Sequence, residues 1–290
     1  MKPTRFFLLV PVLFVGMLST PSCTSCQPES DSTAAPDTLV YAVKTLDKVM
    51  GACDSLSTEP CATVHIEYFE PTGGATDSVL KRIQAIVQRD LGQYDSPESE
   101  GAAGMFDHLS GPERTAALFI EEYSAMVKEL PEFVTPWELD ITASVHFNQS
   151  DFVGYSILVY AYTGGAHGNS ASRHRCIHLP SGDTLGLIDL LASDQIDAFA
   201  QIAEQQFRTQ NEIAEARLSA AGFWFEEDRF YVSKNFFLAR DGVHFQYSQY
   251  EIAPYSMGQP EFVVDWKTIA PYLGSRFQPL AAAFQTPTEG

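Results

Sequence analysis

The segment best suited to chemistry is a glycine-rich stretch that contains a histidine, Tyr-Thr-Gly-Gly-Ala-His-Gly at residues 162–168. Its three glycines permit positive φ angles and close backbone approach. The imidazole of His167 titrates near neutral pH, so it could transfer a proton or contact a ligand. The structural alternative is a turn in which His167 bonds to neighbouring backbone, and the sequence shows no partner acid. We therefore predict no catalytic residue and keep Tyr162 and His167 as candidate ligand-binding residues.

A second candidate segment, residues 249–258, combines tyrosines with proline and glycine. Exposed aromatic side chains in an ordered loop suit contact with a protein or a glycan. Packing of these rings into the core is the structural alternative. Tyr250 and Tyr255 are therefore the second pair of candidate ligand-binding residues.

Three histidines that lie close in the sequence, His167, His174 and His178, raise the possibility of a metal site. On an extended strand the last two would be about 13 Å apart, whereas zinc ligands converge to about 2 Å from one ion. We therefore expect no metal and no cofactor. The sequence also lacks the nucleophile-elbow, zinc-protease and phosphate-loop motifs of common hydrolases and nucleotide-binding proteins. The acidic runs at 121–122 and 226–228 are typical of solvated surfaces.

The elements that must position these residues follow from hydrophobic periodicity and turn residues. We predict strands at 38–50, 61–69, 137–148, 152–162, 173–179, 184–187, 229–238 and 243–247, and helices at 77–91, 112–130, 193–217 and 266–273. This order indicates an α+β fold of antiparallel sheets with helices packed on them. We expect two consecutive subdomains, residues 38–166 and 167–275, followed by a tail at 276–290.

The strand predicted at 152–162 is apolar on both of its faces. We expect it to be a central strand that is covered on both sides.

The N-terminal residues predict export. Two basic residues precede a 13-residue apolar run, Phe6–Leu18, which suits a signal peptide and is too short to span a bilayer. Small residues then precede Cys23, so we expect a signal peptide at 1–22, lipidation of Cys23 and a flexible tether at 23–37. Plain secretory cleavage is the alternative. The expected location is the cell envelope, at the outer membrane or the cell surface, with a lipid anchor such as palmitate as the contact with the membrane.

The charge balance limits the classes of partner. The 290 residues carry a net charge of −19, and loss of residues 1–22 removes two of the 18 basic residues and none of the 37 acidic ones, which leaves −21. Such a field repels nucleic acid. It would attract a basic partner, although solubility alone also explains it.

Cysteine spacing predicts one disulfide. Cys53 and Cys61 flank a polar turn, and close pairs tend to bridge in an oxidising compartment. We expect this bond to clamp the ends of two neighbouring strands. Cys176 has no evident partner and should be a buried thiol.

Three motifs carry a resemblance to a known family: residues 162–168, 179–191 and 250–258. Together they resemble the family of domain of unknown function 3298, which usually follows a companion, domain of unknown function 4163. Members include extracytoplasmic parts of lysozyme-sensing anti-sigma factors, non-catalytic portions of peptidoglycan deacetylases and many lipoproteins.

The resemblance implies an envelope-facing binding module. The expected partner is either a basic wall hydrolase, such as lysozyme, or the cell-wall material peptidoglycan. The alternative is a glycan-binding protein or a hydrolytic enzyme with its site near the loop at 162–168.

Overall fold

The chain folds into two β-sheets that differ in size, in a computed structural model that describes residues 38–53, 60–93 and 106–285. These residues belong to one compact unit at 35–290. The predicted signal peptide at 1–22, the lipidation site Cys23 and the tether at 23–37 lie outside the described residues. No helix in the described ranges has the length and apolar character that a membrane span needs.

The larger sheet has six strands in the order β1-β2-β3-β4-β5-β6. Their bounds are Val40–Gly51, Cys61–Gly73, Trp137–Gln149, Phe152–Tyr162, Asn169–His178 and Asp183–Leu185. Neighbouring strands are antiparallel except β2 and β3, which are parallel. The parallel pair arises because two helices separate these strands in the sequence and carry the chain back to the starting edge.

Those helices, α1 (Asp77–Leu91) and α2 (Gly111–Glu129), cover one face of the sheet. The bounds of α1 are those that the leucine and isoleucine spacing predicts. Helix α2 begins with a capping box, in which Ser110 and Glu113 bond each other's backbone groups. Ile83 of α1 and Phe119 of α2 are fully buried against the sheet.

A buried carboxylate joins α1 to the sheet. The side chain of Asp90 is only 1 % exposed and accepts hydrogen bonds from Arg175 Nε and Tyr155 Oη, each at 2.8 Å. Burial alone would raise the pKa of Asp90, but the bond and charge of Arg175 outweigh it and hold this pKa below its ordinary value. The carboxylate therefore remains charged and fixes the end of α1 over β4 and β5.

The smaller sheet has three antiparallel strands, β7 (Phe236–Leu238), β8 (Gly242–Gln246) and β9 (Glu261–Asp265). Around it lie α3 to α6, whose bounds are Leu187–Leu190, Ile196–Gln210, Trp266–Ile269 and Gln278–Gln285. Its core is rich in phenylalanine: Phe207 of α4 packs edge-on against Phe223, Phe225 and Phe262.

Several element predictions differ from the structure in this half. Helix α4 ends at Gln210, where Asn211 bonds back to the Phe207 carbonyl. The segment predicted as a tail, 276–290, contains α6, and Leu280 on it is buried. Strand β9 was not predicted. The α+β class itself is confirmed, since helices and mostly antiparallel sheets occur together.

The predicted disulfide is confirmed: Cys53 and Cys61 are bonded, with their Cα atoms 5.0 Å apart. It closes the turn between the end of β1 and the start of β2, as expected. Cys176 is a free, buried thiol, also as expected, and burial raises its pKa far above the ordinary value.

The subdomain boundary predicted at residue 166 lies between β4 and β5. These two strands are paired along their length, from Phe152 with His178 to Ala161 with Asn169. The larger sheet therefore extends across this position, while the smaller sheet forms entirely after it.

Candidate functional site

Two loops that are far apart in the sequence meet at the surface and bring together three of the four predicted binding residues. His167, in the loop between β4 and β5, stacks on Tyr255 with ring centroids 4.3 Å apart and planes 21° from parallel. Tyr250 lies next to Tyr255, with centroids 5.9 Å apart. We call His167, Tyr250 and Tyr255 the aromatic platform. Its rings are exposed, Tyr250 by 54 % and Tyr255 by 37 %.

Backbone hydrogen bonds hold the platform in place. The carbonyl of Gly168 accepts from His167 Nδ1 at 2.9 Å and from Tyr255 Oη at 3.2 Å. The fourth predicted residue, Tyr162, does not join the rings, but its hydroxyl donates to the carbonyl of Gly165 at 3.0 Å and braces the loop. Gly165 has a φ of +95°, a backbone conformation that favours glycine.

Tyr250 adopts a backbone conformation that is rare for an aromatic residue, with a φ of +64°. Such conformations persist only where the surrounding structure imposes them, and they cluster at binding sites. Here Tyr250 lies inside a turn that Ser248 and Glu251 close, since Glu251 N donates to the Ser248 carbonyl at 3.0 Å and Ser248 N donates to Glu251 Oε2 at 2.7 Å. The turn therefore directs Tyr250 outward beside Tyr255.

The chemistry open to His167 is limited by its partners. Its Nδ1 donates to a carbonyl, which leaves Nε2 as an acceptor in the neutral ring. Within the described residues, that carbonyl is its one hydrogen-bond partner, and no cluster of three metal-binding side chains occurs there. This arrangement favours ligand contact over proton transfer.

The other two histidines of the predicted cluster lie in separate surroundings. His174 points to Ser156, and His178 Nδ1 lies 3.0 Å from Ser181 Oγ. His174 and His178 are four residues apart on β5, and their side chains do not converge with that of His167.

A polar cluster lies between the two sheets and was not predicted from the sequence. Ser156 Oγ lies 2.7 Å from His174 Nδ1 and 3.1 Å from His146 Nδ1, while His174 Nε2 lies 2.9 Å from Gln246 Oε1. Ser172 bonds the same Gln246 oxygen. We call His146, Ser156, Ser172, His174 and Gln246 the polar seam. The available signal was the alternation of Ser170, Ser172 and His174 along one strand.

Burial controls protonation along the seam. It lowers the pKa of His146 to about 4, helped by the nearby His174 and His244, and it lowers the pKa of His174. Burial also opposes the charge on His244, but bonds to Glu261 and Asp241 outweigh it and raise the pKa of His244. A cavity of about 380 Å³ opens beside His146.

Comparisons with known proteins divide the chain at the platform. Residues 188–267 match the family model described as "Protein of unknown function (DUF3298)", and residues 57–170 match the model described as "Deacetylase PdaC". His167 lies in the segment 57–170, whereas Tyr250 and Tyr255 lie in the segment 188–267. Among curated proteins there is no match. The companion domain of unknown function 4163 stays a prediction.

Two solved structures share the fold. One is a DUF3298 family member from Bacteroides fragilis, 19 % identical, with a TM-score of 0.62 over 86 % of this chain and 99 % of that one. The other is a DUF3298 family protein from Pseudomonas aeruginosa, 20 % identical, with a TM-score of 0.56 over 84 % and 98 %. The family-model match assigns a DUF3298 domain to residues 188–267, which confirms that part of the resemblance, and the two solved structures show a shared fold.

Proposed function

We propose that this protein is an extracytoplasmic binding module whose aromatic platform binds cell-wall saccharide. The observation that carries the proposal is the exposed stack of His167 on Tyr255, with Tyr250 beside it. Aromatic side chains offer a large, rigid apolar face with a polar edge. The apolar face of a sugar ring can lie on such a surface while its hydroxyls bond the polar edge.

The preorganised shape of the platform supports this proposal. Both loops are fixed through the Gly168 carbonyl, so few side-chain rotamers remain to be ordered when a ligand binds. Loss of such freedom is one of the main costs of association. A fixed surface of this kind suits recognition of a rigid pyranose chain.

Location outside the cytoplasm is supported by the disulfide between Cys53 and Cys61, since such bonds persist in oxidising compartments. We propose that the signal peptide is removed and that lipidated Cys23 tethers the module at the cell envelope. A Cys23→Ser variant should then leave the membrane fraction for the soluble fraction. Retention of this variant in the membrane fraction would contradict the lipid anchor.

The binding proposal is tested with soluble chitin oligosaccharides, which present N-acetylglucosamine rings. Titration calorimetry should show binding by the purified protein and a loss of about tenfold or more in Tyr255→Ala, because removal of an anchoring aromatic ring should cost about 1.4 kcal/mol or more. The control is Tyr41→Ala on β1, which removes a tyrosine of similar exposure, 38 %. Equal effects of the two substitutions would refute the platform as the site.

A second candidate partner is a basic wall hydrolase such as lysozyme, which the net charge of −19 favours. Electrostatic attraction would accelerate its encounter, and salt would weaken it. Surface-bound protein should therefore capture lysozyme at low ionic strength and release it as salt is added. Absence of a complex at low ionic strength removes this candidate.

A further inference from the structure

One face of the larger sheet is open next to the platform. Strand β4 is paired on both edges, yet Leu158 is 49 % exposed and Tyr160 is 38 % exposed. Alternate side chains of the same strand, Tyr155 and Ile157, are fully buried under the helices. The prediction that β4 is a central strand is confirmed, but only its first half is covered on both faces: β7 of the smaller sheet lies against the second face near Ser156, and that face is open from Leu158 onward.

Strand register places carboxylates beside this apolar stripe. On β3, Glu138 pairs with Tyr162, Asp140 with Tyr160, and Thr142 with Leu158. Glu67 of β2 pairs with Thr142 and lies on the same face. The name "open face" is used for the surface formed by residues 158, 160 and 162 of β4, residues 138, 140 and 142 of β3, and Glu67.

The acidic groups of the open face have no lysine or arginine as an ion-pair partner among the described residues, and the group they act on is His65, whose pKa is raised by its bond to Asp47 and also by the charges of Asp140 and Glu67. Within the described residues, Glu67, Glu138 and Asp140 form no ion pair or side-chain hydrogen bond. His65 is the neighbouring group that can become a cation, and it bonds Asp47 at 2.7 Å. Glu67 and Asp140 are diagonal neighbours on β2 and β3, so the open face presents closely spaced negative charge.

The open face is continuous with the platform. Tyr160 packs so closely under Gly168 that a Cβ at that position would overlap its ring. The carbonyl of the same glycine receives the hydrogen bonds of His167 and Tyr255. From residue 158 to residue 162 the stripe extends about 13 Å along the strand, enough for more than one sugar ring.

We propose that the open face extends the saccharide site and binds a glycan strand whose amino sugars carry free, protonated amines. This inference rests on the proposed function, because the platform supplies the stacking surface at which the strand begins. The stripe then contacts the apolar faces of the following rings, and the three carboxylates neutralise their ammonium groups. A fully N-acetylated strand lacks those charges and gains only the stacking contacts.

The test compares hexamers of glucosamine and of N-acetylglucosamine, at a pH where the free amines are protonated, by titration calorimetry. The glucosamine hexamer should bind about tenfold more tightly, because several exposed ion pairs, each weak by itself, add to the stacking contacts, and added salt should remove the difference. In the double variant Glu67→Gln, Asp140→Asn the preference should fall to about twofold or less. The matched control, Asp194→Asn with Glu215→Gln, makes the same change in net charge at exposed positions outside the open face.

The possible outcomes separate this inference from the proposed function. Equal binding of both hexamers, with loss in Tyr255→Ala, overturns the open face as an amine site and leaves the platform standing. An equal effect of the two double variants also overturns it, since only net charge would then matter. If binding of lysozyme, and not of the glucosamine hexamer, depends on Glu67 and Asp140, the face docks a basic protein and the inference is wrong.

Discussion

Mild acid should weaken the contact between the two sheets, because the polar seam holds two histidines in the neutral form. Ser156 lies between them, 3.1 Å from His146 Nδ1 and 2.7 Å from His174 Nδ1. Burial lowers the pKa of both rings, that of His146 to about 4. Protonation of either ring would place a positive charge beside the other histidine.

The sign and size of the effect follow from linkage. In the unfolded chain these histidines titrate near 6.5, so between pH 6.5 and about 4 the unfolded state binds more protons and the free energy of unfolding falls with falling pH. The shift of His146 sets an upper limit of about 3 kcal/mol. More than a third of this residue is exposed, and solvent screening reduces the value, so we expect a loss of about 1–2 kcal/mol. His174 adds to the loss.

Other charged groups that face the seam act differently. The pKa of His244 is raised by Glu261 and Asp241, so His244 contributes stability that is present below its unfolded pKa and lost as pH rises through its folded pKa. It therefore offsets part of the loss in acid. The pKa of Asp241 is lowered by its bond to His244, and its contribution disappears only at lower pH.

The assay is urea unfolding followed by circular dichroism at pH 7 and at pH 4.8. The wild type should lose stability over this interval, and His146→Gln should lose less of it, because glutamine can still bond Ser156 and cannot take up a proton. His108→Gln, which removes an exposed histidine outside the seam, should keep the wild-type slope. If wild type and His146→Gln show the same dependence on pH, the seam is not the origin of the effect.

Three further predictions concern stability and the platform. Cys53→Ser opens a short loop and should lower the free energy of unfolding by about 2–3 kcal/mol, measured by urea titration without reductant; wild type should show the same loss when reduced. Asp90→Ala leaves Arg175 without its buried partner and should cost about 3–5 kcal/mol, with Asp90→Ala, Arg175→Met recovering part of it; no recovery would contradict the pairing. Gly168→Ala inserts a Cβ against the ring of Tyr160, and the free energy of saccharide binding in calorimetry should fall by more than the free energy of unfolding. Unchanged affinity would contradict the role of this loop.

Local patterns were sufficient where one segment determines its own structure. The bounds of α1 follow from an apolar spacing that only a helix places on one side. The disulfide between Cys53 and Cys61 follows from a turn short enough to bring the two thiols together. For Tyr250 and Tyr255 the loop composition left exposure and core packing both open, and the structure shows that the two rings are exposed.

Local patterns failed where side chains replace backbone pairing. The sequence 229–238 predicts a full strand, but only Phe236–Leu238 pair with β8. Just before them, Ser233 Oγ donates to the Gln246 carbonyl at 2.6 Å and accepts from Asn235 N at 3.1 Å. These local bonds satisfy the backbone without a ladder, and serine and asparagine commonly offer this alternative.

The position of the platform depends on a contact that no local pattern could show. Strand β6 covers only residues 176–178 of β5, so among the described residues the edge of β5 nearer the platform has no strand partner in the larger sheet. There Asn235 takes the place of a strand, because its side chain accepts from His174 N at 2.8 Å and donates to the Ser172 carbonyl at 3.1 Å. Buried backbone groups need such partners.

Asn235 therefore attaches the smaller sheet to β5, and this attachment carries the loop with Tyr255 over His167. Because the two family segments supply one half of the platform each, neither half contains a complete binding surface. The proposed ligand site is a property of their junction, so we expect binding to be lost when that junction opens in acid, even if both sheets remain folded.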